Sequence, residues 1–123
     1  MKNLKILIVD DDADALTVLS DLLIEHGYDI ATAADGVEAL ETAAKEKPDL
    51  ALVDTRLPKL DGYKVCRGIK EMQGSDTKVI MFTAYGDAVN VDRAKEAGAD
   101  DFLAKTEDFA NMHRAIRQLL DGK

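Results

Sequence analysis

The chain has 123 residues, of which 46% are hydrophobic and 33% are charged, and its formal net charge is -8. This length and balance are typical of one globular domain, and no apolar run is long enough to span a membrane. The negative charge argues against nucleic-acid binding and favours a cation or a partner with a basic face. The single cysteine, Cys66, excludes an internal disulfide. Together with an N-terminus that lacks a signal-peptide pattern, it predicts a cytoplasmic protein.

Apolar runs alternate with helical patterns from the start of the chain. Lys5–Val9 is a continuous apolar run that predicts a buried strand, and Asp12 is positioned to cap the following helix. Gly27 is expected to end this helix, and residues 30–33 form a weaker second strand. The predicted buried face of the first helix carries Leu16, Leu19 and Leu23.

The second predicted helix begins with a pair of acidic residues. Asp35 and Glu38 have the spacing of a capping box. Pro48 closes this helix, because the residue before a proline disfavours the helical conformation. Residues 50–53 are the third predicted strand. The helix is predicted to run through Val37, Leu40 and Ala44.

The second half of the chain continues the same alternation. The loop "LPKLDG" follows the third strand, and Asp61 is predicted to cap a third helix. Residues 79–82 and 102–104 are two further strands, and between them a helix over residues 87–97 ends near Gly98. The fourth helix is expected to bury small groups, at Ala88, Val91 and Ala94. The last helix is expected to bury Phe109, Met112, Ile116 and Leu119.

The strands are continuously apolar instead of alternating between apolar and polar residues. Strands of this kind are buried on both faces, as in a parallel sheet that is covered by helices. Because crossover connections are right-handed, strand–helix alternation predicts a doubly wound α/β fold with a five-stranded parallel sheet.

Polar residues follow four of the five strands, at the point where each strand ends. Because parallel strands share one carboxyl edge, and ligands bind at that edge, these side chains are expected to line one pocket. They are Asp10, Asp11, Asp54, Thr83 and Lys105.

The chemistry of these side chains predicts a magnesium-dependent phosphoryl site. Three carboxylates repel one another, and hard oxygen ligands suit Mg2+, with Mn2+ as an alternative. A carboxylate can attack phosphorus to give an aspartyl phosphate, while Lys105 and the metal neutralise charge and Thr83 donates a hydrogen bond. His26 and His113 lack metal-ligand spacing, and no function is predicted for them.

Four motifs, in this order and spacing, resemble the receiver domain of two-component response regulators. They are "LIVDDDADAL", "LVDTRLPKLDGY", "MFTAYGD" and "AGADDFLAK". The resemblance covers essentially the whole chain. It implies a flavodoxin-like strand order of 2-1-3-4-5 and a single receiver domain over residues 1–123, with no output domain in the chain.

The resemblance implies specific roles around the acidic residues. Asp54 is similar to the phosphoacceptor, and Asp11 to the ligand that binds the metal directly. Asp10 is similar to an acidic partner that acts on the metal largely through water. The backbone carbonyl of Arg56 would complete the metal shell.

The resemblance also implies roles for residues at the ends of the other strands and beside the pocket. Thr83 and Lys105 resemble the phosphoryl-binding pair, and Phe102 occupies the place of the switch aromatic, which turns inward when Thr83 moves. Arg56 and Tyr85 flank the pocket. Receivers usually carry proline directly after this lysine, whereas Thr106 stands here.

The resemblance also implies partners. A sensor histidine kinase or a histidine phosphotransfer protein would donate the phosphoryl group, and the domain would assist its own phosphorylation and dephosphorylation. The surface of helix 4, strand 5 and helix 5 would then signal to a downstream protein, from a monomer or weak dimer.

Two other functions stay open from the residues. One is a receiver-like interaction module that phosphorylation does not control. The other is a magnesium-dependent phosphohydrolase with an aspartate nucleophile, although such enzymes place the nucleophile in a D-x-D pattern on the first strand.

Overall fold

The computed structural model of the protein describes residues 3–83, 91–104 and 108–121. Within these ranges, five strands alternate with five helices. The strands are β1 (Lys5–Val9), β2 (Asp29–Ala33), β3 (Leu50–Asp54), β4 (Lys78–Thr83) and β5 (Asp101–Ala104). The helices are α1 (Ala13–Glu25), α2 (Gly36–Glu46), α3 (Gly62–Glu71), α4 (Val91–Ala97) and α5 (Phe109–Leu120).

All five strands form one parallel sheet in the order β2-β1-β3-β4-β5. The chain moves from β1 outward to β2, and then crosses back to place β3 on the other side of β1. The direction of winding therefore reverses between β1 and β3, which is where open α/β sheets form their ligand crevice. The predicted fold class and strand order are confirmed.

The sheet is buried on both faces, as the continuous apolar strands predicted. Ile6 and Ile8 of β1 point to one face, and Leu7 and Val9 point to the other, because successive strand residues alternate. The large-residue face lies under α1 and α5, and its core includes Ile6, Ile8, Leu23, Leu50, Leu52, Ile80, Phe82, Met112 and Ile116. The other face, here called the small-residue face, lies under α2, α3 and α4, and its small buried residues are Ala33, Ala39, Ala43, Ala51, Cys66, Ala94 and Ala97. Its larger buried residues are Leu7, Val9, Val53, Val65, Ile69, Val79 and Met81.

Aspartates cap the described helix starts wherever a cap is seen. The predicted caps of α1 and α3 are confirmed, since Asp12 accepts hydrogen bonds from Asp14 N and Ala15 N, and Asp61 accepts one from Lys64 N. A side-chain oxygen here satisfies backbone N–H groups that have no partner within the helix. At the start of α5, Asp108 accepts from Asn111 N in the same way.

The start of α2 differs from the prediction. Asp35 does accept from Glu38 N at 2.8 Å, but the Glu38 carboxylate lies 3.5 Å from Ala34 N and is not hydrogen-bonded to the cap residue itself. The helix does run through Val37, Leu40 and Ala44, as predicted, but Val37 is 45% exposed and Ala44 is exposed. The buried residues are Gly36, Ala39 and Ala43. Small residues are needed on this face, because a Cβ atom at Gly36 would lie 2.4 Å from the Leu60 carbonyl oxygen.

Apart from the start of the fourth helix, the ends of the remaining predicted elements either agree with the structure or differ from it by one residue. Of the predicted fourth helix, residues 87–90 lie outside the described ranges, and so does the side chain of Val91. Ala94 is buried, as expected, and the predicted inward face of α5 is confirmed. No helix in the described part of the chain is both long enough and apolar enough to cross a membrane.

Candidate metal centre

The register of the sheet brings Asp10 and Asp54 side by side. Val9 of β1 pairs with Val53 of β3, so the next residue on each strand reaches the carboxyl edge of the sheet at the same level. Asp10 is fully buried and Asp54 is 5% exposed. Carboxylates are rarely buried unless they are paired, hydrogen-bonded or bound to a metal, so this burial marks the crevice as a functional site.

Asp11 completes a group of three carboxylates. It lies at the start of the loop after β1 and is exposed to solvent. One carboxylate oxygen from each of Asp10, Asp11 and Asp54 lies within 4.8 Å of the others. The structure therefore brings together the three acidic residues that the sequence assigned to one pocket.

Local turns orient two of these carboxylates. Asp10 Oδ1 accepts a hydrogen bond from Asp12 N at 3.0 Å, and Asp54 Oδ1 accepts one from Arg56 N at 3.1 Å. In each case an aspartate side chain binds the N–H two residues further on, which fixes a tight turn at the strand end. The Asp12 side chain instead faces the start of α1, so Asp12 is a helix cap and lies apart from the cluster.

Gly62 lies directly against the backbone of Asp54. Its N–H donates to the carbonyl oxygen of Thr55 at 3.1 Å, and a Cβ atom at position 62 would lie 2.0 Å from the Asp54 carbonyl oxygen. Any larger residue would therefore have to displace the end of β3. The sequence analysis assigned no role to Gly62, although its place directly after the capping Asp61 was a usable signal.

The loop between β3 and α3 is also held from the side of α2. Gly36 N donates to the Pro58 carbonyl oxygen at 3.2 Å, and Lys59 Nζ lies 3.4 Å from Asp35 Oδ2. These contacts place the start of α2, the loop and the end of β3 in one packed unit.

The donor set fits a magnesium ion. Three clustered carboxylates supply hard oxygen ligands, and a divalent cation between them relieves their mutual repulsion. Magnesium keeps part of its water shell and accepts one or two carboxylates, so one exposed and two buried acids at a crevice are chemically suitable.

The structure places the other predicted site residues less completely. Thr83 is the last residue of β4, one step beyond the Phe82 that pairs with Asp54, but its side chain is not among the described ones. Tyr85, Lys105 and Thr106 lie outside the described residues.

Two predicted residues outside the acidic group are described. Phe102 of β5 is half-buried and packs against the core of the small-residue face. Arg56 is exposed, and its backbone lies on the turn that orients Asp54. Their predicted roles in switching and in metal binding stay predictions.

Residues 6–117 match the family model of the response regulator receiver domain. The chain belongs to this family. The match covers the site and nearly all of the sheet, and it confirms the resemblance found in the four motifs. Receiver domains are signalling domains that bind Mg2+ at an acidic site and interact with histidine kinases or phosphotransfer proteins and with downstream targets.

Curated relatives of the receiver fall into two kinds by length. The chain is 41% identical over 116 residues to the probable transcriptional regulator ycf27 of Guillardia theta, covering 94% of this chain and 45% of that protein. It is 36% identical over 123 residues to sporulation initiation phosphotransferase F of Bacillus subtilis (strain 168), covering 100% of this chain and 98% of that protein. The chain thus spans about half the length of the transcriptional regulator and almost all of the phosphotransferase.

A solved receiver domain shows the same architecture. The receiver domain of a sensor histidine kinase from Pseudomonas aeruginosa PAO1 superposes with a TM-score of 0.85 at 31% sequence identity, covering 96% of this chain and 98% of that one. That receiver has a magnesium ion coordinated in its active site cleft.

Proposed function

We propose that Asp54 accepts a phosphoryl group from a histidine kinase or a histidine phosphotransfer protein. Asp10, Asp11 and Asp54 hold the magnesium ion that this reaction needs. Residues 1–123 act as one receiver domain. Phosphorylation changes the surface formed by α4, β5 and α5, and this surface signals to a downstream protein.

The observation that carries this proposal is the carboxylate cluster at the reversal point between β1 and β3. Its oxygens lie within 4.8 Å of one another, and Asp54 is the member that ends the central strand of the sheet. A nearly buried carboxylate at that position is shielded from bulk water, while the crevice still admits a donor.

In the transfer step, a carboxylate oxygen of Asp54 attacks phosphorus and forms a P–O bond. The P–N bond to the donor histidine breaks, and its electron pair returns to the imidazole nitrogen. The turn from Arg56 N to Asp54 Oδ1 orients the nucleophile before the reaction. Charge neutralisation of the transferring group is the chemistry that magnesium supplies when it is held by these carboxylates.

The remaining predicted residues take roles around that step. Asp11 binds the metal directly, and Asp10 acts on it largely through water. The Arg56 carbonyl completes the metal shell. Thr83 and Lys105 bind the oxygens of the phosphoryl group on Asp54.

The switch and the lifetime of the phosphoryl group involve further residues. Phe102 turns toward the core when Thr83 moves to the phosphoryl group, so the half-buried position of Phe102 is the starting state. Arg56 and Tyr85 flank the pocket and affect how fast the phosphoryl group is lost. Because the domain supplies these groups itself, it assists its own phosphorylation and dephosphorylation.

Acetyl phosphate with Mg2+ tests the proposal without a partner kinase. By intact mass, the wild-type protein is expected to gain one phosphoryl group, and Asp54→Asn none. Asp12→Asn is the matched control, because it removes the same charge next to the site and asparagine still caps α1. It is expected to be phosphorylated like the wild type.

Labelling of Asp54→Asn, or a wild-type protein that stays unlabelled with Mg2+, would contradict the proposal. An unlabelled wild type would favour an interaction module that phosphorylation does not control. Steady release of phosphate from simple phosphate esters would favour the phosphohydrolase.

A further inference from the structure

The C-terminal half of α4 is fixed to α3 by buried contacts. Ala94 and Ala97 are buried, and Cys66 Sγ of α3 donates to the Ala97 carbonyl oxygen at 3.5 Å. Arg67 Nη2 of α3 donates to the Glu96 carbonyl oxygen at 3.2 Å. Two side chains of α3 therefore hold the last turn of α4 through its backbone.

The segment after α4 is anchored as well. Asp100 Oδ2 accepts from Val79 N at 2.8 Å and from Lys70 Nζ at 2.9 Å. This carboxylate ties the exit of α4 to both β4 and α3. The C-terminal end of α4 and the residues after it are thus attached to two elements, α3 and β4.

The end of α4 that faces the site is held differently. The Arg93 guanidinium carbon lies 4.3 Å from the centre of the Tyr63 ring, and Arg93 Nη2 lies 3.6 Å from Asp61 Oδ2. The Arg93 side chain is 52% exposed and that of Asp61 is 37% exposed. Exposed ion pairs and cation–π contacts are weak, so this attachment breaks and re-forms easily.

Asp61 and Tyr63, which Arg93 contacts, belong to the segment that lies against the phosphoacceptor. Asp61 and Tyr63 flank Gly62, whose α-carbon is packed on the Asp54 carbonyl group. A change in the backbone around Asp54 therefore reaches the partners of Arg93 through one residue. Tyr63 also packs against the core of the small-residue face, so its position depends on the packing of that core.

We propose that Arg93 is a positioning residue that latches the site-facing end of α4 onto α3 in the unphosphorylated receiver. Phosphorylation of Asp54 opens the latch, and α4 pivots on its anchored C-terminal end. This inference rests on the proposed function and names the contact that couples the site to α4.

The Arg93 contact affects the equilibrium between the inactive and the activated state of the receiver through thermodynamic linkage. A contact that exists in only one of two states shifts their populations by the strength of that contact, and a contact present in both states shifts nothing. Removing the latch therefore favours the activated state. A purely structural Arg93 would lower the stability of both states and leave their ratio unchanged.

A titration with beryllium fluoride at fixed Mg2+, followed by amide NMR, measures this ratio. Arg93→Gln is expected to bind the phosphoryl mimic about two- to five-fold more tightly than the wild type, as expected for one exposed contact. Tyr63→Leu is expected to have a similar effect, and the double variant to add little, because both changes remove the same contact.

Arg67→Gln is the matched control. Arg67 and Arg93 line one groove between α3 and α4, so the variant removes the same charge from it, but Arg67 contacts the anchored end of α4. It is expected to leave the affinity unchanged. Unchanged or weaker binding by Arg93→Gln would overturn the latch, and so would equal tightening by Arg67→Gln. A wild-type protein without an Asp54-dependent response would instead overturn the proposed function, so the two failures are distinguishable.

Discussion

Two helices on opposite faces of the sheet, α5 and α4, bury side chains of different size. On the large-residue face, α5 inserts Met112, Ile116 and Leu120 toward the strands. On the small-residue face, α4 contributes Ala94 and Ala97. Since each buried methylene group contributes about 0.8 kcal/mol, these side chains of α5 contribute more apolar burial than the described side chains of α4. The small-residue face keeps a large core of its own, which includes Val65 and Ile69 of α3, so the contrast lies between α5 and the described part of α4.

The largest expected effects come from trimming a side chain on each face. Ile116→Ala is expected to lower the free energy of unfolding by about 2–5 kcal/mol, because it leaves a cavity under α5. Ala97→Gly is expected to cost less than about 1 kcal/mol, because Ala97 is the last residue of α4 and the full propensity difference applies to a helix interior. Urea denaturation monitored by circular dichroism measures both.

Gln118→Ala, at an exposed position of α5, is the control and is expected to change stability by less than about 0.5 kcal/mol. Equal losses for Ile116→Ala and Ala97→Gly would contradict the contrast between α5 and α4.

The sequence predicted the sheet and the acidic cluster well, for physical reasons. Continuous apolar runs such as Lys5–Val9 mark strands that are buried on both faces, and parallel strands must share their carboxyl edge. That constraint alone placed Asp10 beside Asp54. The aspartates at helix starts were equally readable, since capping is a local interaction.

Features that depend on close approach between distant segments were missed. The close packing of Gly36 was not predicted, because it depends on the approach of α2 to the loop before α3, where a Cβ atom at position 36 would lie 2.4 Å from the Leu60 carbonyl oxygen. The packing of Gly62 on Asp54 and the contact of Arg93 with Tyr63 have no signature in local periodicity. Both depend on how α3 and α4 sit on the sheet.

The two histidines without a predicted role meet at the edge of the large-residue face. The His26 ring, just after α1, lies 4.5 Å from the His113 ring of α5, and His113 stacks on Phe109 at 5.6 Å. Tyr28 Oη lies 3.1 Å from His113 Nε2. Burial, with the nearby His26 and Arg117, lowers the pKa of His113 below 6.5. The folded protein therefore favours the neutral ring.

The smallest predicted effect is a pH dependence of the free energy of unfolding that comes from His113. Because the pKa of His113 is lower in the folded than in the unfolded protein, its stabilisation is fully present above pH 6.5 and declines as pH falls below that value. His113→Gln is expected to reduce the fall in unfolding free energy between pH 7 and about pH 5. In NMR titrations, His26→Gln is expected to raise the pKa of His113. A His113 pKa above 6.5 would contradict the arrangement.

The most direct test of the central claim is a calorimetric titration with Mg2+. Asp10, Asp11 and Asp54 are expected to form one binding site, so Asp11→Asn and Asp54→Asn should each weaken Mg2+ binding by at least about ten-fold. Asp12→Asn should bind like the wild type, because Asp12 caps α1. Wild-type affinity in both Asp11→Asn and Asp54→Asn would contradict the account.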